Sequence, residues 1–328
     1  MKKKNSCILL FALLYNGVAL AQQATFPRDT SYTVASTFEK LKKEYPFIKP
    51  VQPQLPKGVL SKDSIAYRTL NNRELHLDVF YPAKKQKEGY PGVLLIHGGG
   101  WRSGDKTLVW PMAQQLAAQG YVAVTAEYRL SLEAPYPAAV HDLKTVLRWM
   151  RAHAKEFGID TTKIATYGTS AGGQLAALLG TTSGSTIMEG QGPNASHSSN
   201  VQAIVDVDGV LAFKHHESAE GAVAAQWLGG TSQEVPHTWA EASALTHVGK
   251  DTPPVLFIAS SCPRFHAGKG DMVKVLEKED IYYESYLIPN TPHSFWLFEP
   301  WFEPTLQYTV YFLNKVFKEE QMVIKEKK

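Results

Sequence analysis

A mostly parallel β-sheet with helices on both faces is the fold class this sequence predicts, and three observations predict it. Short, almost continuous apolar runs recur at residues 93–96, 121–126, 163–167, 201–207, 255–259 and 282–288. Runs without polar alternation suit strands buried on both sides. Between them, Leu143, Val146, Leu147 and Met150 share one helical face, and Leu306, Val310, Leu313 and Phe317 share another. Strand and helix therefore alternate, which is the pattern of a parallel sheet wound by crossover helices. With 44% apolar residues in 328, a core of that size can be filled.

The elements are justified in chain order. Lys2, Lys3 and Lys4 precede an apolar run over 7–15 and the small-x-small triplet Ala19-Leu20-Ala21, so residues 1–21 are expected to be a signal peptide. The run is too short to anchor the chain in a bilayer, and export to the periplasm or beyond follows, with no membrane anchor after cleavage. Those lysines also account for the charge. Without them, 34 − 3 = 31 basic residues face 31 acidic ones, a balance that excludes a basic nucleic-acid binder and a polyacidic disordered chain. Cys7 would leave with the signal, so Cys262 remains alone and no intrachain disulfide is expected.

Residues 22–58 carry Pro27, Pro46, Pro50, Pro53 and Pro56 around a helical candidate at 36–44 and read as an arm laid over the main domain, 59–320. That domain opens with alternating segments at 64–70 and 74–81 joined by Asn71-Asn72-Arg73, an antiparallel hairpin. Residues 180–199, rich in Gly, Ser and Thr, read as a solvated loop containing the sequon Asn194-Ala-Ser. Residues 211–251, with Trp227, Gly229-Gly230 and Trp239, break the rhythm and are expected to cap one end of the sheet. Residues 321–328 form a charged tail.

Reactive groups in such sheets collect after the carboxyl ends of strands. The sharpest loop there is Gly168-Thr169-Ser170-Ala171-Gly172-Gly173, between the strand at 163–167 and a helix. A serine on so tight a turn needs neighbours without side chains, because the backbones cross at close range. After the strand at 93–96 comes His97-Gly98-Gly99-Gly100-Trp101, whose bare amides suit the negative charge that acyl transfer builds on a carbonyl oxygen. Gly98 and Gly99, with Ala171, are the expected donors, and His97 reads as part of the loop's architecture. Serine needs a base. Of eleven histidines, His293 in Pro289-Asn290-Thr291-Pro292-His293 stands between the last strand and the last helix, the place for the base in a Ser…acid…His chain order.

These segments, with Tyr128-Arg129-Leu130 and Pro135-Tyr136-Pro137-Ala138, resemble the α/β-hydrolase superfamily, in its hormone-sensitive-lipase-like and carbohydrate-esterase branch, over residues 64–317. Within it the chain is most similar to secreted bacterial acetyl and feruloyl esterases acting on plant polysaccharides. The resemblance implies Ser170 as nucleophile, His293 as base, and Gly98, Gly99 and Ala171 as oxyanion donors. The acid departs from the pattern. It is expected after the strand at 255–259, where Ser261-Cys262-Pro263-Arg264-Phe265-His266 holds no carboxylate. Asp208, ending the preceding strand ahead of Gly209, is favoured over Asp271, whose place in a helix's first turn explains it without catalysis; a Ser–His dyad is the remaining option.

Trp101, Trp296, Arg264 and His266 are the candidate substrate contacts, with Phe298 and Trp301 also near the mouth, and aromatic faces suit sugar rings. His215-His216-Glu217 lacks metal-ligand spacing, and neither metal nor cofactor is called for. The expected activity is hydrolysis of acyl, chiefly acetyl, esters on oligo- or polysaccharides such as xylan or pectin. The rival readings are a lipid or small-ester hydrolase, a serine peptidase of the same fold, and a catalytically dead carbohydrate-binding or adhesion module.

Overall fold

The apolar runs from 93–96 to 255–259 join an eight-stranded sheet as strands largely buried on both faces, whereas the run at 282–288, expected to be buried likewise, forms a partly exposed edge strand. The computed structural model describes residues 28–71 and 73–326, with side chains to residue 318; the expected signal segment and the start of the arm lie outside the described residues. The strands are β1 (Lys49–Pro50), β2 (Val59–Leu70), β3 (Arg73–Pro82), β4 (Tyr90–Ile96), β5 (Val122–Ala126), β6 (Ile159–Thr169), β7 (Ala203–Val207), β8 (Val255–Ala259), β9 (Tyr283–Leu287) and β10 (Phe298–Glu299). The helices are α1 (Val34–Leu41), α2 (Trp110–Ala118), α3 (Ala138–Ala152), α4 (Ala154–Phe157), α5 (Ala171–Thr181), α6 (Gly221–Leu228), α7 (Pro236–Glu241), α8 (Lys269–Lys278) and α9 (Phe302–Glu326).

The main sheet runs β2-β3-β5-β4-β6-β7-β8-β9. The β2–β3 and β3–β5 pairs are antiparallel and the rest parallel. This is an α/β-hydrolase fold. Along β4, Leu94 and Ile96 pack on one side with Leu143 and Leu147 of α3 and Leu175 and Leu178 of α5. Val93 and Leu95 pack on the other with Met112 and Leu116 of α2 and Phe312 and Leu313 of α9. The helices that follow β4 and β6 thus leave on opposite faces, and a crevice opens between the carboxyl ends of these two neighbours. Both loops singled out above end there.

Three expectations change in detail. Strand β6 begins at Ile159, four residues early, because polar Asp160-Thr161-Thr162 hides it and a register shift at Pro91/Gly92 accommodates the extra length. The arm's helix sits at Val34–Leu41, and β1 pairs antiparallel with β10, laying the arm against α9. The 180–199 loop is pinned, not merely solvated: Glu189 accepts hydrogen bonds from Lys144 Nζ (3.0 Å) and Arg148 Nη1 (2.8 Å), both nearly inaccessible to water.

The loop after β5 is held by charge. Arg129 Nε (2.8 Å) and Nη2 (2.9 Å), with Arg68 Nη1 (2.8 Å), donate to the fully buried carboxylate of Asp142. Two residues on, Ser131 N and Oγ both donate to the Trp101 carbonyl, so this cluster braces the glycine loop. Replacing Asp142 leaves two guanidinium groups facing each other without a counter-charge. Asp142→Ala is expected to lower stability by about 3–5 kcal/mol, read from urea unfolding, and a loss under about 1 kcal/mol would contradict the bracing role.

Candidate active site

Ser170 joins β6 to α5 with φ 55° and ψ −123°, a conformation rarely open to a residue with a side chain. Its neighbours make the turn fit. A β-carbon on Gly168 would strike the Gly172 carbonyl, and one on Gly172 would strike the Ile96 carbonyl on β4. Ser170 N donates to Val207 O (2.8 Å), fixing the turn to β7.

His293 arrives in the loop after β9. That loop is tied to the end of β8 through Ser261 N, which donates to Thr291 Oγ1 (3.3 Å), while Thr291 Oγ1 donates to Ile288 O (2.7 Å). His293 Nε2 lies 2.8 Å from Ser170 Oγ, and its Nδ1 lies 2.9 Å from Asp208 Oδ2. The carboxylate can only accept, so Nδ1 carries the proton and Nε2 is left to accept from the serine hydroxyl. Asp208, at φ 54° just past β7, is buried, and its second oxygen accepts from Ser260 N (2.7 Å). Asp206, two residues earlier, accepts from Gly209 N (2.9 Å); burial and then the charge of Asp208 push its carboxyl well above the usual range. Asp271 is remote from this line, its carboxylate accepting from Lys274 Nζ (2.8 Å) and lying 3.3 Å from His215 Nε2.

The glycine loop is oriented peptide by peptide. Tyr128 Oη donates to the His97 carbonyl (2.9 Å), His97 Nδ1 to the Gly98 carbonyl (2.8 Å), and Ser103 N (3.0 Å) and Oγ (2.9 Å) to the Gly99 carbonyl. In a trans peptide the following N–H points the opposite way. Gly99 and Gly100 line a cavity of about 270 Å3 with Ser170 and His293, whereas Gly98 is buried, and a β-carbon on it would press on the Thr169 carbonyl and the Ser170 β-carbon. Of the expected donors, Gly99 belongs to the cavity lining, and Gly100 joins it there. Ala171, first in α5, has an N–H without an intrahelical acceptor beside the serine.

The candidate substrate contacts fare differently. Trp101 is 2% exposed, stacks on Trp227 (5.1 Å between ring centres) and donates from Nε1 to Gln174 Oε1 (2.9 Å); it anchors the glycine loop to the 211–251 segment and does not reach the cavity surface. Trp296 is buried too, edge-on to His293 at 5.0 Å, and packs behind the imidazole. Phe298 and Trp301 are core residues against the arm. His266 lies outside the cavity lining, and Arg264 is exposed, its guanidinium over the Phe265 ring. The aromatic positions are drawn inward by their partners: Trp101 packs on Trp227 and Phe213, and Phe298 and Trp301 pack on Phe38 and Tyr45 of the arm.

Three lining residues escape sequence reasoning. Phe265 stacks on the His293 ring at 3.4 Å and 11°, Tyr32 comes from the arm, and Glu220 stands at the start of α6. Each is an ordinary residue in a loop or arm without a motif. Among the described residues, no group of three His, Cys, Asp or Glu side chains could hold a metal ion.

The fold and this cluster define the class, an α/β-hydrolase with a serine on the turn after β6. A family profile named BD-FAE matches residues 77–262, more than half of the sequence, and the chain belongs to that family; His293 lies beyond the matched segment. The chain is 28% identical over 268 residues to Esterase LipC of Mycobacterium tuberculosis, covering 76% of this chain and 64% of that protein. It is 30% identical over 235 residues to the probable carboxylic ester hydrolase LipM of the same organism, covering 68% and 54%. It thus spans between half and two thirds of the length of these relatives. Among solved structures, a truncated carbohydrate esterase from gut microbiota superposes with TM-score 0.67 at 23% identity, covering 81% of this chain and 98% of that one. A bifunctional GH43-CE protein of Bacteroides eggerthii gives 0.68 at 25%, covering 78% and 38%.

Burial pulls the imidazole of His97 from its ordinary 6.5 down to about 4. Unfolded, it takes up a proton below about 6.5; folded, it resists until about 4. Its contribution is therefore complete above pH 6.5 and is lost as pH falls toward 4, by about 2–3 kcal/mol. Urea midpoints at pH 7.5 and 4.5 should fall further for the natural protein than for His97→Gln, and equal falls would contradict this assignment.

Proposed function

We propose that the protein is an exported serine carboxylesterase that removes short acyl groups, acetyl foremost, from oligo- or polysaccharides such as xylan or pectin. The observation that carries the reading is the unbroken line of contacts from Ser170 Oγ through His293 to buried Asp208. Ser170 attacks the ester carbonyl and passes its proton to His293 Nε2, while Asp208 holds the imidazole in the required tautomer and balances the imidazolium. The amides of Ala171, Gly99 and Gly100 receive the developing oxyanion. His293 then protonates the leaving alcohol, and water, activated by the same imidazole, releases the acid and restores the serine. No cofactor takes part in this scheme.

Ester chemistry is supported by the esterases among the relatives. The sugar-borne substrate is supported by the carbohydrate esterase among the structural neighbours and by the modest cavity, which suits a short acyl group better than a lipid chain. Export is supported by Lys2 to Lys4, the apolar run and the Ala-x-Ala site. Among the described residues no helix is long and apolar enough to cross a membrane.

Ser170→Ala should abolish hydrolysis of 4-nitrophenyl acetate and labelling by a fluorophosphonate probe; undiminished turnover would refute the mechanism. Asp208→Asn removes the acceptor that sets the His293 tautomer and should lower kcat by about 10⁴ with little change in KM, as in serine hydrolases generally. Equal rates with the Asp208→Asn and natural enzymes would point to a Ser–His dyad. A higher kcat/KM for octanoate than for acetate esters would favour a lipid substrate.

A further inference from the structure

The loop after β8 holds no carboxylate at the place where the acid was expected, and it carries Phe265 instead. The Phe265 ring lies parallel to the His293 imidazole, 3.4 Å between centres and 11° between planes. The imidazole fills one face of that ring, so the Arg264 guanidinium, 4.3 Å over its centre, takes the other. Arg264 is itself held by an ion pair with Glu220, at the start of α6, at 4.0 Å. With both faces occupied, the ring offers a substrate only its edge. The loop is also tied to the acid. Phe265 N donates to Cys262 O (3.1 Å), Cys262 N to Ser260 Oγ (3.2 Å) and Ser260 N to Asp208 Oδ1 (2.7 Å). Aromatic slab and carboxylate therefore belong to one hydrogen-bonded unit.

We infer that Phe265 is a positioning residue, whose flat face confines the His293 imidazole to the plane in which Nε2 meets Ser170 Oγ and Nδ1 meets Asp208. The inference rests on the esterase reading and adds to it the device that keeps the base aligned. Contacts at the two nitrogens, 2.8 Å to Ser170 and 2.9 Å to Asp208, fix the ring's direction within its plane. A hydrogen bond weakens steeply only when its angle falls below about 120°, so these two by themselves tolerate a considerable tilt of the ring. Proton transfer does not tolerate it, since a misplacement of about 1 Å costs about 100-fold in rate. A parallel ring in contact blocks that tilt directly. Trp296, at 86° to the imidazole, offers it no parallel face.

The test measures kcat and KM for 4-nitrophenyl acetate in the natural enzyme, Phe265→Ala, Phe265→Leu and Phe265→Tyr. Rates are referred to the sites titrated by a fluorophosphonate probe, so that unfolded protein does not count as slow enzyme. The far-downfield proton signal of the His293 Nδ1–H bonded to Asp208 is followed in parallel. In Phe265→Ala, kcat is expected to fall about 10- to 100-fold while KM stays within about threefold, and the downfield signal should be lost to exchange with water. Phe265→Leu keeps the bulk without the flat face and should recover only part of the rate; it makes the same comparison where Phe265→Ala does not fold. Phe265→Tyr keeps the face and should stay within about threefold of the natural enzyme, with the signal intact. A fall in kcat under about threefold in Phe265→Ala and Phe265→Leu, or a raised KM with kcat intact, which marks a substrate contact, overturns the role of Phe265 while the esterase reading stands. So does a Phe265→Tyr enzyme as slow as Phe265→Ala. A natural enzyme inert toward 4-nitrophenyl acetate and unlabelled by the probe overturns both.

Discussion

Backbone meeting backbone with no side chain between them is the constraint on which the site depends. The turn at Ser170 brings the start of α5 against β4, close enough that a methyl on Gly168 or Gly172 would occupy the space of a carbonyl. That approach sets the serine in a left-handed conformation at the crevice where the sheet's winding reverses. It also sets the Ala171 amide beside the glycine loop after β4. The loop is in turn held from behind, by Tyr128, His97 and Ser103 on three successive carbonyls. The peptides of the loop are thereby fixed by the protein's own side chains.

The acid departs from the arrangement the family resemblance implies. It comes from the end of β7, and the loop after β8 is thereby released from carrying a carboxylate. That loop instead supplies Ser260, whose amide braces Asp208, and Phe265, which covers the face of His293. The imidazole is thus fixed by three contacts of different kinds: a carboxylate on Nδ1, an aromatic face from Phe265 and an aromatic edge from Trp296. The neighbouring carboxyl of Asp206, pushed well above the usual carboxylate range by burial and by the charge of Asp208, accepts from Gly209 N at the chain reversal. Two acids on one face of a strand thereby serve separate purposes.

The arm and the 211–251 segment close the cavity from opposite sides. Asp29 reaches Arg102 at 2.7 Å, and Tyr32 stands 3.2 Å from Ser294 beside the catalytic histidine loop. On the other side, Trp101, Phe213, Trp227 and Trp239 form a continuous aromatic cluster that ties α6 and α7 to the sheet. The wall bearing Glu220 is therefore fastened to the glycine loop after β4.

The sequence by itself determined the parallel sheet, the serine turn, the glycine loop and the histidine after the last core strand. Each follows from local chemistry: apolar runs demand burial, and glycines cluster where only glycine fits. It also favoured Asp208, because alternation and Gly209 mark the strand's end. Only the tertiary structure decided which glycines line the cavity, since that depends on how the loop lies against Thr169 and Ser170 and on the hold of Tyr128 on the His97 carbonyl. Only it sent Trp101 and Trp296 into the core and brought Phe265 and Glu220 to the serine. A side chain's type states what it can do, but its surroundings come from residues far away in the chain, and no local pattern encodes them.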